Sequence, residues 1–200
     1  FAALDRVVMY QRRADGTWNY DASRPEAGLN VRWGITPNLT LNGTVNPDFS
    51  QVESDEPQVT VNQRFEVFFP EKRPFFLEGS VLFVTPVNLI YTRSITDPAW
   101  GARATQRREN TEFTVLTARD DGGGFVLLPG ALGTNFASQD RKSQATFVRG
   151  RTHLDSHLTL GGTVTDRNYE GAGYNRVVSS DVVWRPAPEQ RLRAQLAHSE

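Results

Sequence analysis

Carboxylates and imidazoles gather at three places in this chain where their spacing could do chemistry. Asp48, Glu53, Asp55 and Glu56 offer the hard oxygen ligands that calcium takes, but they lack the ordered spacing and central glycine of an EF-hand loop. They are expected to be solvated loop charges. Glu71 and Glu78 could act as the acid and base of a glycoside hydrolase. Such a pair must stand about 5 to 10 Å apart across a sugar, a separation that sequence spacing does not establish. His153 and His157 would share one face of a helix, yet Leu154-Asp155-Ser156 between them reads as a turn joining two strands, so surface turn residues are expected. Asp155, Ser156 and His157 are neighbours in sequence, whereas a catalytic triad is assembled in space, and no Gly-x-Ser-x-Gly elbow occurs. Gly122 to Gly124 is not followed by the Gly-Lys-Ser/Thr of a phosphate loop. Asn38-Leu39-Thr40 and Asn42-Gly43-Thr44 match the glycosylation tripeptide but fall inside a strand pattern. The expectation is a chain without enzymatic activity, cofactor or metal.

The elements that would position these residues are strands. Ala2 to Arg12 reads as a first one, followed by Leu29, Val31 and Trp33 alternating with Asn30, Arg32 and Gly34. The cleanest alternation sets Leu39, Leu41, Gly43 and Val45 against Thr40, Asn42, Thr44 and Asn46, a sheet with one greasy and one wet face. Val87 to Arg93, Trp100 to Gln106, Glu112 to Thr117, Ala145 to Gly150, Leu158 to Thr165, Val178 to Trp184 and a run from Leu192 follow. The connections alternate in length: long after Arg12, short after Gly34, long after Asn46, short after Arg107, long after Arg119, short after Arg151, medium after Asp166, short after Arg185. Outer-membrane barrels sort their loops this way, with tight turns on one rim and longer loops on the other. Several runs of about nine residues are long enough to cross the hydrocarbon layer at a tilt. Trp33, Tyr91, Trp100, Tyr174 and Trp184 fall near strand ends, where amphipathic rings favour head-group depth.

One stretch fits neither helix nor strand. From Asn46-Pro47-Asp48-Phe49 to Gly79, prolines at 57, 70 and 74 interrupt a block rich in aromatics and charges. Phe65, Phe68, Phe69, Phe75 and Phe76 stand among Arg64, Glu66, Glu71, Lys72, Arg73 and Glu78, with Pro70 and Pro74 between. So many rings argue against disorder. The expectation is an ordered, irregular insertion over 46–88 that either plugs a barrel or packs over its rim. In the plug reading Phe68, Phe69, Phe75 and Phe76 lie against the inner wall, and Glu71, Lys72 and Arg73 pair with lumenal charges such as Arg32 or Arg103.

Two blocks here, WGITPNLTLNGTVNPDFSQVESDEP (33–57) and RFEVFFPEKRPFFLEGS (64–80), resemble the signature of a large bacterial family of unknown function. Its members carry an N-terminal domain similar to carbohydrate-binding family nine, followed by a β-rich region taken as an outer-membrane barrel. The resemblance implies an all-β, antiparallel up-and-down meander over residues 1–200, forming a segment of a transmembrane barrel in the bacterial outer membrane. It implies lipid as a partner and supplies no activity; the leading expectation is a non-enzymatic role in anchoring or in passing a ligand, with glycan as one candidate.

Composition is compatible with that expectation. A formal net charge of −1 and a pI near 6.4 give no electrostatic case for nucleic acid. With no cysteine, disulfides and thiolate metal sites are excluded. A mean hydropathy of −0.47 and the lack of any long apolar run leave no membrane helix, but a barrel turns only every second residue to lipid. The chain opens at Phe1 without a leader and stops at Glu200 inside a strand pattern, so the remainder of a longer chain is expected as a further partner. Two other readings carry different expectations. One is a soluble β-sandwich that binds glycan through Trp18, Tyr20 and Trp100; the other is a hydrolase using the carboxylates above.

Overall fold

The computed structural model describes residues 2–6, 10–12, 18–20, 25–47, 71–122, 125–130, 133–138, 141–171 and 173–200. Nine strands form one antiparallel sheet in the order β1 (Ala2–Arg6), β4 (Pro25–Thr36), β5 (Leu39–Val45), β6 (Pro98–Arg107), β7 (Thr111–Asp120), β10 (Ser143–His153), β11 (Leu158–Tyr169), β12 (Gly173–Ala187) and β13 (Gln190–Ser199). Two hairpins lie within connections: β2 (Tyr10–Arg12) with β3 (Trp18–Tyr20), and β8 (Phe125–Gly130) with β9 (Gly133–Ser138). The fold is therefore the expected all-β up-and-down meander, an open sheet consistent with a barrel segment.

Four boundaries differ from expectation. The first strand ends at Arg6, and Tyr10–Arg12 joins a hairpin; Val7 and Val8 lie outside the described residues. Val87 to Arg93 is not a strand despite Leu89, Ile90 and Tyr91. Its backbone groups are used otherwise: the Val87 N–H donates to Gln195 Oε1 at 2.7 Å, and a 3-10 turn over Thr92–Ser94 closes with Ser94 N–H to Tyr91 O and Ile95 N–H to Thr92 O. Tyr91 accordingly leaves the set of strand-end aromatics. The connection after Asp166, expected to be of medium length, is short, because β11 runs on to Tyr169 and β12 starts at Gly173, with Gly171 at φ +70° and Gly173 at φ +91° in backbone conformations that a side chain would resist. β12 runs on through Pro186, where the pairing with β13 shifts between Trp184 and Ala187, so the missing N–H falls at an irregularity. Loop length still sorts by rim, with the β11–β12 turn as the exception.

The two faces of the sheet have opposite characters. Across neighbouring strands the register aligns Trp33, Leu41, Ala104, Val115, Val148, Val164 and Val178 on one face. Flanking them, Leu29, Val31, Ile35, Phe113, Leu160, Trp184 and Leu192 are also exposed. Among the described residues no second sheet covers this face, and Leu160 remains 39 % exposed. The other face aligns Asn42, Arg103, Leu116, Phe147 and Thr165, and it also carries buried Thr44, Thr114, Asp120, Arg149, Thr163, Ser179 and Asp181. The core lies there, under the connection between β5 and β6.

Candidate functional site at the docked insertion

The chain from 71 to 97 is built to lie on the polar face. Asn46, at φ +43°, ends β5 and donates its N–H to Ala99 O at 2.8 Å, so the insertion leaves and rejoins the sheet at one point. A single helical turn, α1 (Pro74–Leu77), starts with proline at its first position, where no N–H is required. Gly79 then takes φ +69°, which a side chain would resist, and turns the chain into a 3-10 segment over Ser80–Phe83. Together these put Phe75, Phe76 and Phe83 on one side, where they bury with Ile90 and Ile95 against Leu116, Ala118, Ala145 and Phe147 of the sheet, and Leu82 is buried in the same segment. Phe75 meets Phe76 edge-on at 5.0 Å, and Phe83 meets Phe147 edge-on at 6.4 Å. Fully burying each ring contributes roughly 2–3 kcal/mol.

Polar ties close the insertion on itself and then on the wall. Arg73, 2 % exposed, holds Glu71 through Nε and Nη2 at 2.8 Å each, and donates to Ile95 O at 2.6 Å and Thr92 O at 2.9 Å. Thr92 Oγ1 donates to Glu71 Oε2 at 2.7 Å, so one ion pair joins the two ends of the segment. Burial would raise the Glu71 carboxyl, but hydrogen bonds and charge from Arg73, with help from Thr92, bring it below its ordinary value. Fully buried Asp120 accepts from the N–H groups of Thr96, Asp97 and Gly122 and pairs with Arg167 Nη2. Arg167 also reaches Ser94 O at 3.1 Å. Glu78 meets Arg32 of β4 at 3.0 Å, while Val87 is bonded to Gln195 of β13. Strands seven places apart stand roughly 34 Å from one another in a flat sheet. Residues 78–87, with a 3-10 turn among them, would reach both only near full extension unless the sheet curls over them.

Small residues make room for this layer. A Cβ on Gly101 would lie 2.7 Å from the Phe75 ring. One on Gly161 would lie 2.5 Å from Arg149 Nη2, because the guanidinium crosses β11 there to reach Asp181 on β12 through both Nη atoms, with Thr163 as a further partner. Arg103 has no such pairing. It is 2 % exposed, its Nη2 donates to Phe76 O at 3.3 Å, and the Phe75 and Phe83 rings lie 5.7 and 5.3 Å away. Its Nε and Nη1, with Asn42 Oδ1 and Thr44 Oγ1, are buried without a hydrogen-bond partner. A guanidinium dried in this way costs on the order of a few kcal/mol, which cation–π attraction of about 1 kcal/mol per ring offsets in part.

With this geometry established, comparison with known families is informative. The chain matches the family described as Domain of unknown function (DUF5916) over residues 7–119, more than half its length. The chain belongs to that family. No curated protein and no solved structure matches it. The DUF5916 region takes in β4 to β7 and the whole insertion, including both sequence blocks that carry the resemblance.

Of the site residues expected from sequence, Arg73, Phe75 and Phe76 come together on the wall, with Glu71, Glu78 and Gly79 at its edge. Asn46 and Pro74 shape the backbone, Pro47 is half-buried just after β5, and Lys72 is exposed. Asp48, Phe49, Phe65, Phe68, Phe69 and Pro70 lie outside the described residues, as do Glu53, Asp55 and Glu56. The direct ion pairs differ from the expected ones: Glu71 engages Arg73 within the insertion and acts on Arg103 only through charge, and it is Glu78 that reaches Arg32. The insertion is also longer than 46–88, running to β6 at Pro98. Sequence reasoning missed Asp120, Arg149, Arg167, Asp181 and Gln195; their signal was a charged or amide residue placed opposite the apolar positions of a strand.

The histidines sit at the far, short-turn rim. Asp155 accepts the N–H groups of His157 and Leu158 and shapes the turn, beside an open recess of about 420 Å³ lined by His153, His157, Asn110, Val183 and Arg185. Ser156 Oγ lies 2.9 Å and Asp155 Oδ1 3.9 Å from the same nitrogen, His157 Nδ1. A relay needs the two partners on opposite ring nitrogens, so this trio is turn chemistry. Among the described residues no group of His, Asp and Glu is arranged to hold a metal.

Proposed function

We propose that the chain is a stretch of wall from a bacterial outer-membrane β-barrel, with the insertion lying in the lumen. Its role is non-enzymatic: it anchors an upstream glycan-binding-like domain or passes that domain's ligand. The observation that carries this reading is the inverted polarity of the sheet. Arg103, Asp120, Arg149 and Asp181 are at most 7 % exposed, whereas Val31, Trp33 and Val178 are more than half exposed. In water that distribution is unfavourable at about 25 cal/mol for every Å² of apolar surface left wet. Against acyl chains, with charges turned to an enclosed interior, it is the stable arrangement.

The apolar band spans the sheet and supports the same reading. On this face the exposed apolar side chains are Leu29, Val31, Trp33 and Ile35 on β4, and Tyr174, Val178 and Trp184 on β12. Strands of 10 to 12 residues at β4, β6, β7, β10 and β11 are long enough for the crossing.

Purification with and without detergent tests the proposal. The full-length protein should stay dispersed as a β-rich species only in detergent or lipid. A soluble, monomeric, β-rich protein in plain buffer would contradict it and favour a glycan-binding module.

A further inference from the structure

Arg103 is a buried cation that no carboxylate meets directly; Glu78 and Glu71 of the insertion act on it only through charge at longer range. Arg32, Arg73, Arg149 and Arg167 each meet a carboxylate, from Glu78, Glu71, Asp181 and Asp120 respectively. Among the described residues Arg103 meets none, and its Nε and Nη1 are shut off from both acceptors and water. Asn42, its partner in the β5–β6 register, and Thr44 leave an oxygen unpartnered in the same patch. What dries this patch is the insertion: Phe75 and Phe83 cover the guanidinium, and Gly79 brings its backbone close to Nη1. The strands place Arg103 here whether or not the insertion is seated. The cost of stripping its water therefore falls on docking alone, against the burial of the Phe rings that favours it.

We infer that residues 75–83 form a plug poised to leave the wall, and that Arg103 is the residue that keeps its docking weak. When the rings lift away, Arg103, Asn42 and Thr44 regain water together, and a polar strip of wall opens. A directly paired guanidinium would hold the insertion more firmly instead, as Arg149 holds β10 to β12 through Asp181. The inference rests on the lumenal reading for its meaning as a gate, while lift-off itself requires only the docking described above.

These 200 residues contain no cysteine; with any cysteine elsewhere in the full-length protein replaced by serine, Leu82→Cys, at a position 1 % exposed in the docked layer, supplies one thiol that a maleimide reaches only on lift-off. Labelling rates are compared in the full-length protein, in the detergent that keeps it dispersed, for Leu82→Cys alone and combined with Arg103→Met, Arg103→Leu or Arg103→Lys. Removing the charge is expected to slow labelling about tenfold, because the open fraction falls, whereas the lysine variant labels at least as fast as the parent. A rate equal to or above the parent's in either charge-free variant with unchanged far-UV circular dichroism overturns the inference, since Arg103 would then be neutral or a brace. A protein dispersed without detergent would contradict the membrane reading and leave this comparison intact.

Discussion

At the scale of single residues, the account turns on which atoms have room and which have partners. Gly101 is required by the Phe75 ring, so Gly101→Ala should force the ring out of place and lower stability by about 1–3 kcal/mol, read as a lower thermal midpoint. The same substitution at Gly43, whose added Cβ meets nothing nearer than 4.0 Å, is the matched control and should cost about 1 kcal/mol or less. The Glu71 carboxyl is held below its ordinary value of 4.5, so the folded state binds that proton more weakly than the unfolded chain does. Its contribution is therefore complete above the ordinary value and is lost as pH falls through the lower, folded one. Thermal melts across acid pH should show Glu71→Gln flattening this part of the parent's decline; an unchanged acid limb would contradict the Arg73–Glu71 tie. Little of this was legible in the sequence. Glu71 and Arg73 are two apart, yet both are expected from sequence to meet lumenal charges and not each other, and Ile95 and Thr92 complete the site from about twenty residues away.

At the scale of elements, strands were legible wherever one face was apolar, and obscure where both faces are wet. Leu158 to Val164 announces β11, but Asp166-Arg167-Asn168-Tyr169 continues the ladder with no apolar alternation, because the strand there approaches the rim. Conversely, Leu89-Ile90-Tyr91 carries strand-forming residues and forms none, since Ile90 is buried with the other rings and chains of the insertion against the sheet and no neighbouring strand offers a ladder. Period two also left the direction of each face undecided on β10, where Phe147 and Val148 are both apolar; only the docked insertion shows that Phe147 points inward. The insertion itself makes a prediction at this scale. Replacing both Phe75 and Phe76 with Ala should undock it, at roughly 3–5 kcal/mol for each ring. In liposome swelling a plug leaks small solutes with the sheet's circular dichroism intact. A rim brace loses heat resistance without leaking, and that result would remove the gating role.

At the scale of the whole molecule, the family match gives no fold, the meander makes the domain β-rich, and the inverted faces say what kind of surroundings would stabilise it. Loop parity anticipated the arrangement because turn residues are local, and nine strands in sequence order leave each connection on a definite rim. What sequence order could not give is the path of the insertion, tied to β4 by Arg32 and to β13 by Gln195. Those ties bring distant strands to one body and are consistent with a wall that curls. The most direct measurement uses the outward tryptophans. Trp33, Trp100 and Trp184 are 62, 40 and 47 % exposed on the apolar face. With the full-length protein in vesicles of bromine-labelled lipid, variants retaining one of these tryptophans should each lose fluorescence relative to unlabelled vesicles, with soluble acrylamide quenching weakly. Fluorescence untouched by brominated acyl chains and readily quenched from water would contradict the claim that this face meets lipid.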